Sequence, residues 1–318
     1  MRAHAWIAVI LATAFVCAAR AADYPAHPIR LIVPFTPGGI VDIVARITAE
    51  SLSRELGQAV VIDNRPGAGG TVGMYALAAQ APDGYVLGLA TTGPLAIAPA
   101  LTGIDAPNLT SISLLATSAQ VLIVHPSLPA KSLRELVTYA RHHPDEIAYA
   151  SAGIGTTGHL AGALFESLAD IDLLHVPYSG NQAALRDVLA GRVQVLLSPL
   201  PPVLTYIRDG KLRALAIAGP VRSRSLPEVP TIAESGWPGA EAEVWYGLVA
   251  PAKTPRVIVD ALRRALHKAM TDGAFARGVL DAGADPGLST PEAFARLIED
   301  DRAKWKRVID ARAIGQER

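Results

Sequence analysis

Ile29-Arg30-Leu31-Ile32-Val33-Pro34-Phe35-Thr36-Pro37-Gly38-Gly39-Ile40-Val41-Asp42 is the stretch on which the fold class turns. Residues 29–33 are apolar apart from Arg30 and have the length of a strand. Two prolines and two glycines between Pro34 and Gly39 then break the run. Beyond the break the period changes. Val41, Val44, Ala45, Thr48, Leu52 and Leu56 recur on one helical face, and Gly57 closes it. The unit is therefore strand, Gly-rich turn, helix.

The unit repeats along the chain. Residues 59–62 read as a second strand, broken by Asn64-Arg65-Pro66-Gly67-Ala68-Gly69-Gly70, and a helix follows to about Gln80. Pro82-Asp83-Gly84 is a turn before a strand at 85–90. Further strands are expected at 121–124, 147–150, 173–176, 193–197, 214–217 and 244–249. Ser132 with Glu135 predicts a capping box. Thr254-Pro255 and Thr290-Pro291 each predict an N-cap followed by Pro at the first helical position. From Pro255 onward the chain reads as mainly helical. Such alternation predicts α/β architecture with mostly parallel sheets flanked by helices, and ligands beyond the carboxyl ends of the strands. No low-complexity linker separates two halves, so two lobes would share the chain through crossing strands.

At the N-terminus, Arg2 and His4 precede an apolar run from 5 to 19, and Ala19-Arg20-Ala21 offers a small-x-small cleavage site. The run is shorter than the ~20 residues of a membrane span. The expectation is a signal peptide over 1–21, cleaved near Ala21, and a periplasmic mature chain. Val16 before Cys17 argues against lipid attachment. Loss of Arg2 and Arg20 from the 29 Lys and Arg leaves 27 against 29 Asp and Glu, a net charge near −2. No basic stripe argues for nucleic acid. The single Cys lies in the leader, so the mature chain has neither disulfides nor thiol chemistry. The remaining ~297 residues can bury a large core, as two lobes.

Three loops place small residues and backbone N–H groups at expected helix N-termini. They are Thr36-Pro37-Gly38-Gly39 with Asp42 just inside the helix, Pro66 to Thr71, and Ser151-Ala152-Gly153-Ile154-Gly155-Thr156-Thr157-Gly158-His159. Unpaired donors and the helix dipole suit such ends to an anion, each contributing about 0.3–1 kcal/mol when exposed and up to ~2 when partly buried. Several converging on one carboxylate could hold it without an Arg. The alternative for any single loop is plain turn chemistry. Gly153, Gly155 and Gly158 also fit the dinucleotide pattern G-x-G-x-x-G, with Asp170 and Asp172 beyond. The match lies midway along the chain, and an exported protein meets little NAD. Ser151 stands in Tyr-Ala-Ser-Ala-Gly, which is not a nucleophile elbow. His142 and His143 are adjacent, share no helix face and make a poor metal pair. His159 could donate to an anion or cap its helix. His125 and His175 sit at strand ends as structural residues. Trp245 and Tyr246 lie in an apolar strand, as core or as one wall of a cleft.

The motifs together resemble the Bug (TctC-like) extracytoplasmic solute receptors. Residues 31–39 with Asp42 are similar to that family's opening motif, and 63–70 to its second. Matches continue through Ala81-Pro82-Asp83-Gly84-Tyr85, Tyr149 to Gly153, His159-Leu160-Ala161-Gly162, His175-Val176-Pro177-Tyr178, 210–216 and Val229-Pro230-Thr231, over essentially the whole mature chain. The resemblance implies a two-lobed, type II periplasmic-binding-protein fold that closes like a clam-shell. It implies lobe 1 from 22–119 and 220–318, and lobe 2 from 120–219. It implies a small carboxylic acid ligand, bound through backbone amides and waters without cofactor, metal or catalysis. The partners implied are membrane subunits of a tripartite tricarboxylate-type transporter, or a sensor; the receptor itself is expected to be a monomer. Carried over by motif, lobe 1 would supply Phe35, Thr36, Gly38, Gly39, Asp42, Ala68, Gly69, Thr91 and Thr92. Lobe 2 would supply Ser151, Gly155, Thr156, Thr157, His159 and Tyr178. One departure is Leu197-Ser198-Pro199, where relatives often read Phe-Asp-Asn. Loss of that Asp weakens an amino-acid reading. The remaining alternative is an exported hydrolase or dinucleotide-dependent oxidoreductase using the Gly153–Gly158 loop.

Overall fold

A computed structural model describes residues 24–144 and 146–314; the expected leader and its cleavage site lie outside them. Strand β1 (Ile29–Val33) buries Leu31, Ile32 and Val33 completely, as a strand covered on both faces must. Helix α1 (Ile40–Leu56) follows and stops at Gly57, whose left-handed φ of 69° lets its N–H donate to Ser53 O. Strand β2 (Val60–Asn64), helix α2 (Thr71–Ala78) and strand β3 (Val86–Thr91) complete a parallel block, with β1 between β2 and β3. A π-helical turn at Gly93–Ile97 then leads into the short helix α3 (Ala98–Thr102).

Strand β4 (Leu109–Val124) is 16 residues long. Sequence periodicity marks only its last four residues, because the preceding stretch mixes Thr and Ser with small apolar residues. Helix α4 (Leu133–His142) begins at the expected Ser132 cap, whose Oγ accepts the Glu135 N–H, while the Glu135 carboxylate takes the N–H of Lys131. A second parallel block follows: β5 (Ala148–Ser151), α5 (Thr157–Ala169), β6 (Leu174–Pro177), α6 (Asn181–Leu189) and β7 (Val195–Pro199), with β5 between β6 and β7. After α7 (Leu204–Arg208) and β8 (Arg213–Ile217) the chain returns through β9 (Glu243–Pro251). Helices α8 (Arg256–Thr271) and α9 (Ala274–Asp281), the two-residue strand β10 (Asp285–Pro286) and helix α10 (Pro291–Ala311) end it. Thr290 caps α10 as expected, through its Oγ1 to Ala293 N–H. Thr254 does not cap α8; its hydroxyl donates to Pro251 O, and Pro255 is the cap residue.

The sheet order is β2-β1-β3-β9-β4-β7-β5-β6, with β8 and β10 also on β4. Outer strands run parallel, and every pairing made by β4 or β9 is antiparallel. β4 pairs with β9 from Leu109 to Ala119, then with β7 and β8 from Gln120 or Val121 to Val124. One strand thus leaves the first block and enters the second at Gln120. Three backbone bonds fix the crossing: Gln120 N–H to Ala242 O (3.2 Å), Ala218 N–H to Gln120 O (2.7 Å) and Ala242 N–H to Ala218 O (2.6 Å). The chain returns to the first block only at about Ala242. Before that, Ile217 bonds Pro230 and Ile232, and Leu226 and Val229 join the core around Val121, Ile123 and Leu196.

Helix α10 straps both blocks. Its Phe294 meets Trp245 of β9 edge-on at 5.3 Å, and Arg312 just past its end pairs with Glu166 of α5 at 3.2 Å. Gly247 on β9 permits that contact, since a Cβ there would overlap the Phe294 ring. Gly247→Ala is expected to lower stability by about 1–3 kcal/mol through overpacking, read from the urea midpoint. A change under about 0.5 kcal/mol would show that the ring moves aside freely.

Candidate ligand cleft

A cleft of about 660 Å³ opens between the two blocks, on the carboxyl-end side of their parallel strands. Its floor is sheet. Thr91 of β3 faces Tyr246 of β9, and Gln120 of β4 faces Pro199 of β7, and all four line the space along with Val244. Leu101, Ile104 and Pro107 form one wall; Ile154 and Leu197 form the other. No Lys or Arg lines it among the described residues, and Asp105 is the lone charged side chain. An anion held here must be held by dipoles and uncharged donors.

The N-terminus of α5 opens onto the cleft. Gly153, Gly155 and Gly158 give this turn its shape. Gly155 adopts φ 76°, and Gly158 lets the helix approach β7 so closely that a Cβ would stand 2.6 Å from Leu197 O. Thr156 is the cap: its Oγ1 receives the His159 N–H at 3.4 Å and donates to Gly153 O at 2.7 Å. The N–H groups of Thr157 and Gly158 have no partner among the hydrogen bonds of the described residues, and both residues line the cleft. Across the cleft, Ala68 and Gly69 precede α2 and also line it. Ala68 takes a left-handed φ of 45°.

The first loop does something else. Asp42 is buried, and its carboxylate accepts the Gly38 N–H (3.0 Å), Arg46 Nε (2.8 Å) and Asn64 Nδ2 (3.0 Å). Asn64 also donates to Phe35 O at 2.9 Å. Burial alone would raise the Asp42 pKa, but these hydrogen bonds, from Arg46 above all, hold it below the usual carboxylate value. Asp42 therefore places a carboxylate, paired with Arg46, at the N-terminus of α1. At this turn Phe35, Ile40 and Val41 line the cleft; Thr36, Gly38 and Gly39 are exposed and are not among its lining residues.

Four other expected residues lie behind the lining. Thr92 is fully buried, and its Oγ1 accepts the Trp245 N–H at 3.1 Å. Tyr178 donates to Asp187 at 2.8 Å. His159 turns away from the cleft and accepts the Gly155 N–H on Nδ1 at 3.2 Å, so it braces the loop. It stacks on His175 at 3.9 Å between centroids. Ser151 Oγ lies 2.7 Å from His175 Nε2 and accepts the Gly153 N–H at 3.2 Å, with 0 % of Ser151 exposed. Burial pushes both imidazoles down to about 4, His159 also by its neighbour His175. The expected set thus divides: Phe35, Ala68, Gly69, Thr91, Gly155, Thr156 and Thr157 line the cleft; Asp42, Thr92, Ser151, His159 and Tyr178 lie behind it, and Thr36, Gly38 and Gly39 are exposed beside it. Sequence reasoning missed Gln120, Asn181 and the apolar wall from Leu101 to Pro107. Gln120 sits in an otherwise featureless strand run, and the wall residues are single apolar side chains at the end of α3 and on the loop after it. Neither leaves a local pattern.

Two lobes sharing a crossing strand, with a concave ligand site between them, define a solute-binding protein. The chain belongs to the tripartite tricarboxylate transporter receptor family, whose description matches residues 44–314. It is similar to protein BugT of Bordetella pertussis, with 37% identity over 97% of this chain and 96% of that one. Among solved structures it resembles an R. palustris protein with adipate (34% identity, TM-score 0.82, covering 92% and 99% of the two chains). It also resembles MatC from Rhodopseudomonas palustris with bound malate (31%, TM-score 0.78, 90% and 100%). The two-lobed α/β expectation and the family resemblance hold, and relatives of this chain are periplasmic receptors. No helix among the described residues is long and apolar enough to cross a membrane.

The His159–His175 stack makes stability pH-dependent. Unfolded imidazoles titrate near 6.5, whereas these titrate at about 4 in the fold. Between those values the unfolded chain binds more protons, so stability falls as pH drops through the window. The loss between pH 7 and pH 4.5 is expected to be on the order of 2 kcal/mol, and smaller in His159→Asn. Urea midpoints at each pH measure it; equal pH slopes in both proteins would contradict the assignment.

Proposed function

We propose that this receptor captures a small carboxylic acid in the inter-lobe cleft, with the carboxylate at the N-terminus of α5. The observation that carries this reading is the pair of unengaged N–H groups on Thr157 and Gly158 facing a cleft without a cation. Uncharged donors at a helix end suit a carboxylate, and bridging waters complete its shell. Two lobes close over the ligand, 22–119 with 242–318 and 120–241; the expected boundary at 220 moves to about Ala242, because Leu226 and Val229 pack in the second block's core. Closure then marks the loaded form for membrane subunits of a tripartite tricarboxylate-type transporter, or for a sensor. Export through the 1–21 leader, and a monomeric state, belong to the same reading. So does the absence of catalysis: Ser151 and His175 are within hydrogen-bond reach, but Ser151 is inaccessible to a substrate. Adipate and malate in two structural relatives are consistent with an acid ligand.

A thermal-denaturation screen of mono-, di- and tricarboxylates tests the proposal. An acid present at ~100 times its dissociation constant should add about 2.7 kcal/mol of stability. A flat response across all acids, with the protein folded, would overturn the ligand class.

A further inference from the structure

Glu166 is a buried acid that the cleft does not use. It stands on α5, 4 % exposed, roughly 14 Å along the helix axis from Thr157. Its Oε1 accepts the Leu173 N–H at 2.7 Å and meets Arg312 Nη2 at 3.2 Å. Burial pushes its pKa up, against the pull of those two groups. Among the described residues, Arg312 is the one cation paired with it. Asp172 meets the same Arg312 Nη2 at 3.1 Å, but its side chain is 79 % exposed and the contact adds little.

The counter-charge comes from the other lobe. Arg312 follows α10, and α10 is fixed to the first lobe by the Phe294–Trp245 contact and by Arg302, which donates to Leu95 O at 3.1 Å. Helix α5 belongs to the second lobe. The first lobe touches its other end too: a Cβ on Gly155, in the turn before α5, would stand 2.6 Å from Leu101 Cδ2. One helix is therefore held by the first lobe near both ends, by an apolar contact at the cleft and by an ion pair away from it. Glu166, Asp172 and Arg312 are not among the lining residues. Without its cation, a carboxylate buried here is an uncompensated charge. Moving α5 away from α10 lets water reach it.

We infer that Arg312 is a positioning residue for the cleft: paired with Glu166 across the lobes, it holds α5 against the first lobe and favours the closed arrangement. The inference rests on the reading of two lobes that close, and not on the ligand being an acid. Cys17 is the only Cys in the chain, so residues 22–318 contain none. Val61→Cys on β2 and Gln182→Cys on α6, both at exposed positions, therefore take one spin label in each lobe. Pulsed double electron–electron resonance on this labelled mature protein, without ligand, reads the distance between the lobes. Arg312→Met should raise the long-distance population about threefold or more over the labelled parent, with helicity unchanged. Arg312→Lys, which keeps the charge, should return it toward the parent. In a Glu166→Gln background, adding Arg312→Met should change little, because no buried charge is left without its partner.

The same distance distribution in the parent and in Arg312→Met would overturn the inference, even if the variant were less stable, by confining the pair to the fold. An equal shift from Arg312→Met in the Glu166→Gln background would overturn it too. Should Arg312→Met lose its helicity, Arg312→Gln, which keeps a donor but no charge, is read in its place against the same outcomes. None of these results touches the acid site, which the denaturation screen tests separately.

Discussion

The crossing of β4 at Gln120 is the constraint on which the molecule depends. Three backbone hydrogen bonds tie Gln120, Ala218 and Ala242 where one strand leaves the first block and enters the second. A strand cannot serve two sheets without a point at which its partners change, and here they change under the floor of the cleft. Of the three, Gln120 also lines the cleft. Helix α10 reinforces the arrangement from outside, with Phe294 on the first block and Arg312 on the second.

Electrostatics in the cleft follow from what is missing and from what is already occupied. Among the described residues no Lys or Arg lines the cleft, so what it offers an anion is oriented dipoles and uncharged donors. Three helix N-termini were candidates, and they are not equivalent. Asp42 neutralises that of α1 with a buried carboxylate. Ala68 and Gly69 bring the turn before α2 to the cleft. Only α5 combines a side-chain cap with two unengaged N–H groups on the lining. His159, kept neutral by burial, braces that turn without adding charge.

Much of the fold was legible because it is written locally. Period changes at Val33–Val41 and the Gly57 stop give β1 and α1 to the residue or nearly so, and the parallel blocks follow from their repetition. β4 was not legible over most of its length: its Thr and Ser residues show no alternation, and its role depends on neighbours distant in sequence. The return at Ala242 is hidden for the same reason. At the site, Gly-rich turns announced themselves through glycine, and Gly155 needs its left-handed backbone. They did not reveal which N–H groups would stay unengaged. Asp42 was expected at the site by resemblance to a motif; its bonds to Arg46 and Asn64 depend on a helical spacing and on a strand pairing and were not legible. Gln120 is visible only once the sheet is built.

The central claim is that dipoles, not cations, hold the ligand's carboxylate at α5. A crystal structure with the tightest-binding acid tests it most directly. The account predicts carboxylate oxygens within hydrogen-bond distance, about 2.7–3.2 Å, of the Thr157 and Gly158 nitrogens, with no Lys or Arg in contact. A carboxylate paired with a basic side chain, or seated at the first loop beside Asp42, would contradict it.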